Sequence, residues 1–183
     1  MSEDFPSFAK IPRLNKEMVI TEKLDGTNGL IEIADDGTVR AGSRSRWLDK
    51  GQPDNMGFRA WVEANEGALR ASLPPGRHYG EWWGQGIQRR YGLDHKRFTL
   101  FNTARYAELE LPPILSVVPE LYRGPMDTEV IKACVEQLRR TGSVAVPGWM
   151  KPEGVVVYHA ASGHLYKVLC ENDSLPKGLA HEG

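Results

Sequence analysis

Among the residues able to do covalent chemistry, Lys23 is set apart by its surroundings. It lies in "TEKLDGTNG", residues 21–29, at the end of a short apolar run and between Glu22 and the pair Asp25 and Gly26. A lysine amine attacks an electrophile only when neutral, and an ordinary pKa of ~10.4 keeps such an amine protonated near pH 7. A site that uses it must lower that value, through partial burial and a nearby divalent cation. The cation in turn needs carboxylate oxygens to hold it or its waters. Glu81 in "GEWWG" and Glu153 in "PEGVVVY" supply them, each beside a glycine that lets backbone and ligand approach closely. Singly, each of the three reads as a solvated charge at a strand end or edge. Together they point to a lysine nucleophile with a metal-assisted site.

The elements that must position them are legible from periodicity. "MVITEKL" and "GLIEIA" read as strands, and "IEIADDGTVRAG" places an Asp-Gly turn between alternating segments, the mark of a hairpin. An antiparallel meander is therefore expected at the start. From Asp54, an N-cap candidate, Phe58, Trp61, Val62 and Leu69 recur at helical spacing until "LPPG" stops them. "RHYGEWW" and "RFTLFNT" read as strands, and "ELPPILSVVP" as a surface connection. A second helix, capped by Asp127 or Thr128, carries Val130, Ile131, Cys134, Val135 and Leu138 and ends before Gly142. "GVVVYHAASGHLYKVL" is another hairpin. Strands and helices mix without βαβ regularity, so the expected class is α+β.

In chain order, "EKLDGTN", "SRSR", "HYGEWWG", "FTLFNT", "PEGVVVY" and "YKVL" resemble the collinear motifs of the covalent nucleotidyltransferases, most closely the ATP-dependent RNA ligases, across residues 22–169. The Lys-x-Asp-Gly tetrapeptide alone recurs by chance, and the ordered set is what makes the resemblance specific. It implies an adenylation domain of antiparallel sheets flanked by helices, with the nucleotide pocket between them. It also implies that Lys23 attacks the α-phosphorus of ATP, expels pyrophosphate and carries AMP through a phosphoramide bond. By the same match Asn28 stands beside nucleotide and metal, and Glu22, Asp25 and Gly26 join it in the nucleotide-binding set. Arg44 is the better match to a ribose- and phosphate-contacting arginine, with Arg46 the alternate; a guanidinium fork suits phosphate oxygens. Glu81 matches the acid at the ribose, and Phe101 the aromatic on adenine, on the strand face opposite Phe98 and Leu100. Glu153 matches the acid that engages Mg2+ or Mn2+, and Lys167 the lysine at the α-phosphate, where a cation offsets developing charge. Leu169 stands where many members carry a second lysine. It is expected in the core, with Lys177 or an arginine elsewhere serving the pyrophosphate.

Formal net charge is −1, so a nucleic-acid partner has to be met by local cations. "GIQRRYGLDHKR" surrounds Tyr91 and His95 with Arg89, Arg90, Lys96 and Arg97, and "SRSRW" joins Arg46 to Trp47. Basic residues interleaved with aromatics suit a phosphate-tracking surface that also stacks a base; a solvated loop is the plain alternative. Cys134 and Cys170 lack metal-ligand spacing and read as buried thiols of a cytosolic protein. No apolar run approaches the ~20 residues of a membrane span, and the acidic N-terminus has no signal-peptide character. Too few residues follow Lys167 for the OB-type or helical domain that many relatives append, and too few precede Lys23 for a nicotinamide-gripping module. The expectation is one domain over 1–183, a cytoplasmic monomer using ATP on nicked or broken RNA ends, with room for a partner protein in end recognition. A DNA nick ligase, a subunit that adenylates 5′ ends, and an inactive nucleotide- or RNA-binding module are the alternatives.

Overall fold

The computed structural model describes residues 8–173. β1 (Glu17–Lys23) buries Met18, Val19 and Ile20, as a central strand must, and is hydrogen-bonded on both edges. Its neighbours come from the last third of the chain: β7 (Glu120–Pro125) on one side and β8 (Gly154–His159) on the other, with β9 (His164–Leu169) outside β8. This antiparallel sheet has the order β7-β1-β8-β9. Met18, Ile20, Val155 and Val157 point to α4 (Thr128–Thr141), which completes that core with Cys134, Val135 and Leu138. Asp127 caps α4 by accepting the Glu129 N–H, and the helix stops at Gly142.

The second sheet has the order β3-β2-β4-β5-β6, built from β2 (Thr27–Ile33), β3 (Val39–Gly42), β4 (Gly76–Gly84), β5 (Lys96–Leu100) and β6 (Leu115–Val117). Ile31, Ile33, Trp82, Phe98 and Leu100 on one face pack with residues of α1 (Phe58–Ala64) and α2 (Glu66–Ser72). A third cluster, Leu24, Trp83, Tyr91 and Val118, with Phe101 and Trp149 partly buried against it, joins the two sheets. Helices on the outside and a shared apolar seam between sheets give the α+β architecture expected from the sequence.

Four local expectations are corrected. β1 and β2 are not neighbours in a meander, because buried Leu24 pulls the 24–26 turn across from one sheet to the other. The helix read from Asp54 is two helices: Gly57 is the N-cap of α1, and Asn65 breaks the run, its side-chain amide bonding back to the Trp61 carbonyl. "RFTLFNT" ends as a strand at Leu100, since Asn102 turns left-handed and caps the single-turn α3 (Thr103–Tyr106). The Pro-rich connection contains β6, which pairs parallel with β5 and buries Leu115.

Candidate active site

β1 delivers Lys23 at its last position, opposite Gly154, the first residue of β8. A Cβ at Gly154 would lie 2.2 Å from the Val168 carbonyl oxygen, so only glycine lets β9 close on β8 here. Glu153, just before it, is thereby aimed at the lysine: Lys23 Nζ donates to Glu153 Oε2 at 2.7 Å, with the side chains 22% and 12% exposed. The chain then crosses to the second sheet through Gly26, where a Cβ would meet the Trp82 carbonyl oxygen at 2.3 Å. That close approach puts the Gly26 N–H on Glu81 Oε1 at 3.0 Å, while Asn28 Nδ2 donates to Glu81 Oε2 at 3.3 Å. Asn28 and Glu81 are register partners across β2 and β4.

Burial dominates the electrostatics. Glu81 is 8% exposed, and desolvation pushes its carboxyl up to about 7, against the opposing pull of Lys23 and the Gly26 N–H. Desolvation likewise raises Glu153, countered by Lys23. Two carboxyls with increased proton affinity thus flank one amine, an arrangement able to accept its proton. Among the described residues no three His, Cys, Asp or Glu side chains converge as a metal site. Any divalent ion here would complete its shell with substrate oxygens and water.

The structure brings some of the other expected residues together and sends others elsewhere. Lys167 pairs with Val156, which pairs with Thr21, so its side chain emerges on the Lys23 face of the sheet, one row back. Leu169 pairs with Gly154 in the Lys23 row and is half-buried on that face; strand alternation sends Val168 and Cys170 toward α4 instead, correcting the core placement. Phe101 follows β5, half-buried against the inter-sheet cluster. Arg44 is exposed and makes no side-chain hydrogen bond or ion pair among the described residues. Arg46 is exposed and donates to the Pro53 carbonyl at 2.7 Å and to that of Trp47, which fastens its own loop. Glu22 points away from Lys23, as adjacent strand residues do, and its carboxylate is filled by the Ser143 hydroxyl and the Val144 and Ala145 N–H groups. Asp25 accepts from Arg89 Nε at 3.0 Å, and its own N–H donates to the Tyr91 hydroxyl at 2.8 Å. Arg89 thus reaches Asp25 in the site while its side chain stays 33% exposed, and Arg90 is exposed. Lys177 lies outside the described residues. The part of Tyr91 and Arg89 in holding the nucleophile's turn has no local sequence signal, since both contacts span more than 60 residues.

The chain matches the RNA ligase family over residues 16–169. Solved structures of Naegleria gruberi RNA ligase resemble it. A mutant with ATP and Mn superposes with a TM-score of 0.62 at 19% identity, covering 86% of this chain and 51% of that one. An apo mutant gives 0.58 at 19%, covering 85% and 50%, and a mutant with AMP and Mn gives 0.55 at 19%, also covering 85% and 50%. This chain thus spans about half the length of those proteins. No curated protein matches its sequence. At such low identity the superpositions establish a common fold, and the family match covers every element built above. The chain belongs to the RNA ligase family.

Proposed function

We propose that this protein is an ATP-dependent RNA ligase working through a lysyl-AMP intermediate, with residues 16–169 as its catalytic unit. The observation that carries the reading is the Lys23–Glu153 contact at 2.7 Å, framed by Glu81 and Lys167. The hard oxygens of Glu153 and Glu81 fit Mg2+ or Mn2+ held partly through phosphates and water. When bound, the ion supplies positive charge at the phosphate oxygens.

The protein's own groups account for the rest. Glu153 orients the Lys23 amine, and a carboxyl of raised proton affinity takes its proton. The nitrogen lone pair forms a bond to the α-phosphorus as the bond to pyrophosphate breaks, the electron pair leaving with pyrophosphate. A 5′-phosphate oxygen then bonds to the α-phosphorus as the bond to the Lys23 nitrogen breaks and that nitrogen regains its proton; a 3′-hydroxyl oxygen next attacks the 5′-phosphorus, its proton passing to solvent as AMP leaves with the electron pair of the broken P–O bond. Lys167 faces the charge on the α-phosphate, Asn28 and Glu81 meet the ribose side, and Phe101 offers the adenine face. In-line positioning and charge stabilisation supply most of the acceleration in such steps. The same reading makes nicked or broken RNA ends the substrate and the protein a cytoplasmic monomer. Among the described residues no helix is long and apolar enough to cross a membrane.

The test is incubation with α-labelled ATP and Mg2+ or Mn2+, followed by denaturing electrophoresis. The wild-type band carries label, and Lys23→Ala carries none while still sealing pre-adenylated 5′ ends in part. Undiminished labelling of Lys23→Ala refutes the assignment. Sealing of nicks with an RNA 3′-hydroxyl but not a DNA one identifies the strand.

A further inference from the structure

Arg89 leaves the loop after β4 and reaches two separate segments at once. Its Nε donates to Asp25 Oδ2 at 3.0 Å, and its Nη1 donates to the Lys151 carbonyl oxygen at 3.3 Å. Asp25 comes two residues after Lys23, and Lys151 two residues before Glu153. One guanidinium therefore ties together the two stretches whose side chains meet in the Lys23–Glu153 contact. A planar fork with fixed donor directions suits such a bridge, and a lysine in its place could hold only one end firmly. Tyr91, in the same loop, repeats the connection by packing: it is buried edge-on against Trp83, lies beside Trp149 of the segment that leads to Glu153, and accepts the Asp25 N–H.

We infer that Arg89 is a positioning residue for the adenylation step, bridging Asp25 to Lys151 so that the Lys23 amine and the Glu153 carboxylate are held in register. It acts through those two partners and does not touch the reacting atoms. Two of its nitrogens are engaged within the protein, on Asp25 and on the Lys151 carbonyl. The inference rests on the lysyl-AMP chemistry proposed above.

Single-turnover self-labelling with α-labelled ATP and Mg2+ tests it, with no RNA present. Arg89→Ala is expected to slow the rate at saturating ATP by about 10- to 100-fold, the scale of a misplaced reacting group, with half-saturation by ATP little changed. Arg89→Lys recovers part of the rate, and Arg89→Ala combined with Asp25→Asn is no slower than the slower single variant, because the two act as one unit. Labelling of Arg89→Ala at the wild-type rate, with loss only in RNA binding, overturns the inference. Hydrogen exchange on the same proteins gives a readout free of catalysis: Arg89→Ala is expected to speed exchange both around residues 23–26 and around 150–154, while α4 stays protected. Should wild type itself fail to label, the lysyl-AMP reading falls, and the exchange data still decide the bridge. Exchange unaltered in both stretches sinks it.

Discussion

Glu81 is a carboxyl whose burial works against its own charge. Desolvation lifts it from an ordinary 4.5 to about 7, so the folded protein binds a proton that the unfolded chain has already released. Stability then declines as pH rises between those values, since the folded state holds more protons there. At about 1.4 kcal/mol per pH unit, the cost of ionising Glu81 in place reaches about 3 kcal/mol above pH 7. Glu81→Gln keeps the shape and removes the charge. Its melting temperature is expected to match wild type near pH 4.5, to rise above it as pH increases, and to level off beyond pH 7 at a gap of about 5–10 °C. Melting curves across pH 4.5–8.5 check this, and a gap independent of pH would show that burial does not set the proton affinity of Glu81. The stability forfeited at neutral pH is the cost of keeping an acid beside the lysine amine.

At the scale of elements, alternation along β9 decides what a residue can become. Val168 and Cys170 pack toward α4, whereas Leu169 shares a face with Lys23 and remains half-buried. Leu169→Lys is therefore expected to fold with a urea midpoint equivalent to less than about 1 kcal/mol of change. A lysine forced into the α4 core would instead cost several kcal/mol, and a loss of that size would put Leu169 back among the core residues. The same strand shows what the sequence could and could not disclose. Lys23, Glu81 and Glu153 were readable because each is a charged residue in or next to a strand and beside or near a glycine, a local arrangement with few structural uses. The hairpin at Gly37, the strand of Glu81 and helix α4 were readable from period and caps. The face of Leu169 was misread because "VLC" is apolar on both sides of the strand. The separation of β1 from β2, the parallel pairing of β6 and the reach of Arg89 to Asp25 depend on partners far along the chain. Local periodicity carries no record of such partners.

The whole molecule closes from its two ends. β1 pairs only with strands that follow residue 115, while the five-stranded sheet is laid down between them. Lys23 and Glu153 therefore meet only when the chain has wrapped around that insertion. Glu22 is the buried polar link of this closure: 1% exposed, its carboxylate receives the Ser143 hydroxyl and the N–H groups of Val144 at 2.8 Å and Ala145 at 2.9 Å. The segment it fastens carries Ala145, Val146 and Trp149 into the inter-sheet cluster. Glu22→Ala leaves those donors without an acceptor inside the protein, and hydrogen bonds to a charged group contribute about 1.5–3 kcal/mol each before any rearrangement. A loss of about 3 kcal/mol or more is expected. Because the segment it fastens packs into the cluster between the sheets, the loss should appear at one urea midpoint whether unfolding is followed by far-ultraviolet circular dichroism or by tryptophan fluorescence, to which Trp61 and Trp82 in the helix-side core of the other sheet contribute. Self-labelling with α-labelled ATP should fail over the same urea range. If Glu22→Ala lowered only the labelling midpoint and left both spectroscopic transitions in place, the segment would be a local clasp on the active site, and the two sheets would owe their union to Leu24, Trp83, Tyr91 and Val118 alone.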